Sequence, residues 1–272
     1  MSRIAFTAVQ VEDKSLRDVV FCGLRFLMTT YMMALMNDMT EARSTLLPEP
    51  SVALPDLFHD LLPYWPELGD FMDTILIVLY VGMLAWAATF PRRFELICAV
   101  VDMHVLMMLL RSLCVCMTSL PSSVPNCTHK LVSKPKMILI NPLYRFFSPG
   151  GMSAGCHDLI YSGHTVIYTL ASLFMHDAAH GHWVLRLCTY SLSFAGVYCL
   201  LAARMHYSID VLLAFIIMVL VYIQWRPMVL IHLEDTRHQP LPLPFSFSKR
   251  SSSSEDVVRL TRDVEEEAES DM

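Results

Sequence analysis

Charged residues are scarce in this sequence. They make up 17% of its 272 residues, whereas hydrophobic residues make up 54%. A soluble domain of this size normally carries about a quarter charged residues, so the composition excludes an ordinary soluble domain and indicates a membrane protein. The net charge of −6 comes mostly from two acidic stretches, which give no indication of nucleic-acid binding, and we expect no nucleic-acid partner.

Long apolar runs are abundant instead. A run of about 18 residues or more crosses a hydrocarbon core of roughly 30 Å as a helix, and a helix satisfies its own backbone groups there. We count six such runs, at residues 19–36, 71–90, 94–117, 159–175, 183–203 and 207–225. The sequence therefore predicts an all-α membrane protein with a six-transmembrane-helix bundle over residues 19–225. It lies between an N-terminal segment, 1–18, and a tail, 226–272, whose composition is typical of disorder.

The loops suggest an orientation. Lys and Arg are more frequent on the side that holds both termini and the Pro91-Arg92-Arg93 turn than on the other side. Positive residues favour the cytosolic side of short loops. We therefore expect both termini to be cytosolic.

Two of the six runs have a histidine at or near their start. Ionisable side chains inside a span cost roughly 2.5–3.5 kcal/mol each, so they are kept mainly where they face a cavity or a partner. His164 is early in the fourth run, and His206 opens the sixth run from the same side of the membrane. Asp210 follows His206 by four residues, which puts both on one helix face, where the carboxylate orients the imidazole and makes it more basic.

Such a set of side chains suits phosphoryl transfer, which needs a nucleophile or base, an acid for the leaving oxygen, and cations for the phosphate charge. Arg111, near the end of the third run, and Arg204 are the candidate cations because a guanidinium binds phosphate bidentately. Asp102 and His104 lie nearer the other side of the third run, and we interpret them as inter-helix pairing residues. Asp73 begins the second run.

Two sequence blocks resemble a known family. Residues 156–165, which contain Ser162-Gly163-His164, and residues 206–211 resemble the C-G-D-x3-S-G-H-T and H-Y-[ST]-x-D-V blocks of the sphingomyelin synthase family. The one departure is His157, where that family usually has Gly. The same residues are similar to the second and third motifs of the related lipid phosphatase (PAP2-like) superfamily. Leu54-Pro55-Asp56 is a further match.

The resemblance implies a function. That family moves a phosphorylated head group (phosphocholine, phosphoethanolamine or phosphoinositol) from a glycerophospholipid to ceramide and releases diacylglycerol, in the Golgi or the plasma membrane. Its site faces the lumen or the exterior and needs no metal or cofactor. By this resemblance, His206, oriented by Asp210, attacks the phosphorus or activates the ceramide hydroxyl, and His164 protonates the leaving oxygen. The substrate-binding residues it implies are Asp158, which tunes His164, together with Ser162, Arg111 and Arg204.

Other functions remain open. A lipid phosphatase or a phospholipase C-type hydrolase would use the same site with water as the acceptor, although the first motif of the phosphatases is absent. A non-catalytic scaffold or transporter would tolerate loss of His164. The single histidine-rich stretch at 176–182 is interpreted as a solvated loop and not as a di-iron site. A homo-oligomer, a disulfide between Cys127 and Cys156, and glycosylation of Asn126 are also left open.

Overall fold

The computed structural model describes residues 16–44, 53–125 and 159–234. Asp158, Asn126, Cys127, Cys156 and the tail beyond residue 234 lie outside the described residues, and so do the predictions that fall on them. Seven helices occupy the described ranges: α1 Leu16–Ser44, α2 Leu57–Leu61, α3 Leu68–Ala87, α4 Arg93–Met117, α5 Gly163–Ala178, α6 Trp183–Ala202 and α7 Ser208–Glu234. The described part of the chain contains no strand, so the all-α prediction is confirmed there.

Five of these helices are long and apolar enough to cross a membrane, namely α1, α3, α4, α6 and α7. The fourth predicted span corresponds to α5, which has only 16 residues. It begins at Gly163 rather than at 159 because Tyr161 has a φ of 70°, outside the helical region, and Ser162 is extended. A multi-span membrane protein is therefore supported, but the count of six spans is not established.

The short helix α5 lies at the centre of the bundle. It packs against α3, α4, α6 and α7, and every side chain from Thr165 to Ala171 is buried. A helix that is buried all round is one that other helices enclose. Because α5 carries His164 near its first residue, the helices around it determine where that histidine lies.

The helix α1 packs mainly along α4. Arg25 of α1 forms an ion pair of 2.7 Å with Asp102 of α4. The ring of His104 is hydrogen-bonded to the Tyr80 hydroxyl of α3 at 3.0 Å. The interpretation of Asp102 and His104 as inter-helix pairing residues is confirmed.

The last helix extends further than the sequence predicted. α7 continues to Glu234, with Pro227 inside it, whereas the predicted membrane domain ended at 225. Arg226 donates two hydrogen bonds of 2.8 and 2.9 Å to the Asp177 carboxylate at the end of α5. The ion pair neutralises Arg226 within α7. The predicted boundary between the membrane domain and the tail, after residue 225, therefore falls inside this helix.

Candidate active site

The first turn of α5 is tied to the start of α7. Ser162 is the N-cap of α5, and its Oγ accepts a hydrogen bond of 3.3 Å from the Thr165 backbone N–H. Its own N–H donates to the backbone carbonyl of Asp210 at 3.3 Å. The side chain of Ser162 is completely buried. The structure therefore gives this predicted substrate-binding residue a role in fixing two helix N-termini together.

Arg111 supports the turn before α5. Its guanidinium donates to the backbone carbonyl of Tyr161, the residue in the left-handed region. A Cβ added to Gly163 would lie 3.6 Å from the guanidinium carbon of Arg111. That distance is an ordinary van der Waals contact, so the buried arginine packs directly against the first turn of α5, where the helix dipole also favours an anion.

The pair formed by His206 and Asp210 is almost completely enclosed. Their side chains are 4% and 3% exposed, and Nδ1 of His206 lies 3.5 Å from Oδ2 of Asp210. The same Nδ1 lies 3.3 Å from the backbone carbonyl oxygen of Leu159. Oδ2 of Asp210 also accepts a hydrogen bond of 3.1 Å from the Tyr207 N–H. Both acceptors lie on the Nδ1 side, so the imidazole carries its proton on Nδ1 and its lone pair on Nε2.

The second histidine has a different setting. Nε2 of His164 lies 2.7 Å from Oδ1 of Asp73 on α3, with side-chain exposures of 22% and 60%. Asp73 was not among the predicted site residues, because its place at the start of an apolar run carries no sign of a partner on another helix. The predicted partner, Asp158, is outside the described residues. Asp73 therefore joins the site as the carboxylate that orients His164, which leaves Nδ1 for chemistry.

A loop before α3 holds the N-terminus of α7. Oδ2 of Asp56 accepts a hydrogen bond of 2.7 Å from the Ser208 N–H, and Oδ1 accepts one of 2.5 Å from the Ser208 hydroxyl. Asp56 also caps α2 by accepting from the backbone of Phe58 and His59. Partial burial acts to raise the pKa of the Asp56 carboxyl, but the hydrogen bonds from Ser208 and His59 outweigh it and hold the pKa below its usual range. The Leu54-Pro55-Asp56 match thus has a structural role.

Arg204 is part of the same contact region. It is half-buried, with a positive φ of 53°, and its guanidinium donates a hydrogen bond of 3.0 Å to the backbone carbonyl of His59. The His59 ring in turn donates a hydrogen bond of 3.0 Å to the backbone carbonyl of His206. The guanidinium of Arg204 also lies over the Tyr64 ring at 5.4 Å. These contacts hold Arg204 at the edge of the site, on the segment that leads into His206.

The predicted residues fall into two groups. His206, Asp210 and Ser162 are joined directly through the start of α7, and His164 follows Ser162 closely on α5. Arg111 contacts the turn before His164, at the Tyr161 carbonyl. Arg204 contacts the carbonyl of His59 on α2, and the His59 ring contacts the carbonyl of His206. The arrangement offers one enclosed imidazole with a lone pair on Nε2 and one accessible imidazole, at the same end of the bundle as the N-termini of α3, α5 and α7. It suits acid–base or nucleophilic chemistry on a substrate that reaches this end.

Comparison with known proteins identifies related chains. A family described as PAP2 superfamily C-terminal matches residues 155–228, which contain both histidines and Asp210. Sphingomyelin synthase-related 1 of Caenorhabditis elegans is 31% identical over 205 residues, covering 72% of this chain and 41% of the relative. Phosphatidylcholine:ceramide cholinephosphotransferase 2 of Mus musculus is 28% identical over 214 residues, covering 73% of this chain and 55% of the relative.

A third relative is named for a different donor lipid. Phosphatidylethanolamine:ceramide ethanolaminephosphotransferase of Trypanosoma brucei brucei is 37% identical over 123 residues, covering 44% of this chain and 37% of the relative. The chain spans about half the length, or less, of these curated relatives.

The helical membrane bundle and the matched histidine motifs define a protein related to the PAP2 superfamily. Within that class, the relatives named as sphingomyelin synthase-related and as ceramide phosphotransferases, together with the sequence blocks, show that the chain is similar to the sphingomyelin synthase family. The resemblance found in the sequence is thus confirmed.

Proposed function

We propose that this chain is a ceramide phosphotransferase, which moves a phosphorylated head group from a glycerophospholipid to ceramide and releases diacylglycerol. The observation that carries the proposal is the combination of an enclosed His206–Asp210 pair and an accessible His164–Asp73 pair at one end of a membrane bundle. A transfer between two lipids needs one group that attacks and another that moves protons, close to the membrane surface.

The first half of the proposed reaction uses both histidines. Nε2 of His206 attacks the phosphorus of the donor, and the bond between phosphorus and the diacylglycerol oxygen breaks. Nδ1 of protonated His164 gives its proton to that leaving oxygen, so that neutral diacylglycerol departs. Asp210 stabilises the positive charge that develops on the His206 imidazole, as a carboxylate beside a catalytic histidine does.

The second half returns the site to its starting state. The primary hydroxyl of ceramide attacks the phosphohistidine, its proton passes to Nδ1 of His164, and the bond between phosphorus and Nε2 of His206 breaks. If His206 instead acts as a base, it takes the hydroxyl proton while ceramide attacks the donor phosphorus directly. Trapping of a phosphorylated His206 by rapid alkaline quench, in which the P–N bond is stable, separates these two routes.

The remaining predicted residues complete the proposal. Arg111 and Arg204 neutralise the phosphate charge, Ser162 positions the two helix starts, and Asp158 contributes near His164. We propose cytosolic termini and a site on the lumenal or exoplasmic side of the Golgi or plasma membrane. A cysteine placed in loop 119–155 should then react with an impermeant thiol reagent only from that side.

The proposal is tested with the full chain produced in liposomes. Fluorescent ceramide is supplied together with phosphatidylcholine, phosphatidylethanolamine or phosphatidylinositol in turn, and products are separated by thin-layer chromatography. A new polar ceramide lipid with one donor establishes the transferase and names its head group. Release of diacylglycerol without a ceramide product supports a hydrolase, which the exposure of the His164–Asp73 pair to water would permit. No turnover of any donor overturns both.

A further inference from the structure

An apolar groove runs along the bundle from the candidate active site. Its volume is about 560 Å³, within the roughly 300–1,000 Å³ that small-molecule sites occupy. α5 forms its floor, and α6 and α7, which each pack against α5, form its walls. At the end nearest the histidines it is lined by Thr165 and Ser208, and at the far end by Tyr190 and Val219.

The length of the groove matches one leaflet of a bilayer. On α7 its lining extends from Ser208 to Val219, which at 1.5 Å per residue is about 16 Å. A hydrocarbon core is roughly 30 Å thick, so the groove covers about half of it. A lipid chain from the leaflet on the active-site side would lie in the groove with its head-group end beside His164 and Asp210.

The groove opens sideways to the membrane. Phe194 of α6 and Phe215 of α7 line it, and they are 76% and 50% exposed. An exposed apolar face on a helix of a membrane bundle meets lipid. A hydrocarbon chain can therefore enter from the bilayer without crossing water.

One residue at the polar end of the groove carries a buried hydroxyl without a hydrogen-bond partner in the described ranges. Thr165 is 1% exposed, it lines the groove, and its Oγ1 has no hydrogen-bond partner among the residues that the structure describes. A buried hydroxyl without a partner costs free energy, so a ligand group that completes its bonding stabilises the complex. A hydroxyl both donates and accepts. An amide likewise offers an N–H and a carbonyl, whereas an ester offers only acceptors.

From these features we propose that the groove holds the N-acyl chain of ceramide, with the ceramide amide at the Thr165 hydroxyl. This inference rests on the proposed function and adds the binding mode of the acceptor lipid. The primary hydroxyl of ceramide is two carbons from the amide nitrogen. This binding mode therefore places that hydroxyl close to His164, which directly precedes Thr165 in the sequence.

The first test narrows the groove. Val219, on the α7 wall at the far end of the groove, is replaced by tryptophan, and transfer to ceramides with a long N-acyl chain or a six-carbon chain is compared in liposomes. Leu220→Trp is the matched control, because Leu220 is an exposed residue of the same helix outside the groove. We expect Val219→Trp to lower kcat/KM for the long chain by roughly tenfold or more while the short chain, which ends before Val219, changes little. An equal loss with both ceramides overturns the proposal.

The second test does not depend on turnover. A ceramide that carries a diazirine midway along its N-acyl chain is photolysed with the full-length His206→Ala chain in liposomes, and adducts are mapped by peptide mass spectrometry. We expect adducts in α5, α6 or α7 at groove residues. Thr165→Val should reduce them about two- to tenfold, the effect of one hydrogen bond, and Thr165→Ser should preserve them.

The outcomes separate the two proposals. Groove adducts, together with no transferase activity of the wild-type chain in the same liposomes, keep the groove and remove the proposed function. An active transferase whose ceramide adducts lie elsewhere removes the groove. Labelling of the groove by a diazirine phosphatidylcholine, with no labelling by the ceramide, assigns it to the donor lipid and overturns the proposed occupant.

Discussion

The two histidine pairs of this chain differ in how they are built. His206 and Asp210 are four residues apart at the start of one helix, and their side chains are 4% and 3% exposed. His164 and Asp73 come from two helices, are 91 positions apart in sequence, and are 22% and 60% exposed. One pair is enclosed and fixed by several elements, whereas the other lies at the open side of the site.

This difference suits two separate tasks. A nucleophile or base benefits from a fixed orientation and exclusion of water, because the reacting nitrogen then keeps its lone pair directed at the substrate. An acid that must lose and regain a proton in each cycle benefits from contact with solvent. We therefore assign attack to His206 and proton transfer to His164, and the following substitutions test that assignment.

Replacement of His206 should have the largest effect. His206→Ala removes the reacting nitrogen, and we expect a loss of transferase activity of at least roughly 10³-fold. The mutant should remain folded, which its elution profile in size-exclusion chromatography checks. Activity within tenfold of the wild type would remove His206 from the mechanism.

Asp210→Asn should have the next largest effect. An asparagine can present its amide N–H to His206 and favour the wrong tautomer, so we expect a loss of about 10²–10⁴-fold in kcat with little change in KM. Steady-state kinetics with a saturating donor measures both constants. A change confined to KM would show that Asp210 binds substrate instead.

Asp73→Asn should have a smaller effect, because water and nearby groups can still orient a partly exposed imidazole. We expect a loss of about 10- to 100-fold in kcat. Asp70→Asn is the matched control, since Asp70 is an exposed residue one turn earlier on α3. Equal effects of the two substitutions would mean that Asp73 acts only through the local charge.

Asp56→Asn should have the smallest effect, since it loosens the enclosed pair without touching it. Loss of a charged cap costs about 1 kcal/mol, and thermal unfolding in detergent measures it. The folded-state pKa of Asp56 is depressed, so its stabilisation is present above the usual value of 3.8 and is lost as the pH falls through the lower folded-state pKa. The difference from the wild type should therefore shrink in strong acid; a constant difference contradicts this account.

The sequence predicted local relations better than distant ones. The spacing of His206 and Asp210 follows from helix geometry, and the apolar runs locate five helices that meet the requirements for spanning. The contact of Asp73 with His164 has no such local signal. Neither does the bond between Asp56 and Ser208, which are 152 positions apart. Those contacts depend on how the helices pack.

The predicted start of the fourth span and end of the sixth differ from the ends of α5 and α7, because contacts with other helices occur at both points. The start of α5 depends on the positive φ of Tyr161, which no glycine marks, and on a carbonyl contact from Arg111 on α4. α7 continues past the predicted end at 225, and Arg226 at that point is paired with Asp177 on α5. In both cases the residue beside the predicted boundary contacts another helix, which the sequence of one segment does not reveal.

The short length of α5 affects how far a lipid would have to leave the bilayer to reach His164. Its 16 residues measure about 24 Å, less than the roughly 30 Å of a hydrocarbon core. With its far end at one membrane surface, its first turn lies about 6 Å below the opposite surface. Pulling each methylene out of the bilayer costs about 0.8 kcal/mol. In the proposed reaction, a histidine at that depth would act on lipids that stay in the bilayer, so almost no extraction would be needed.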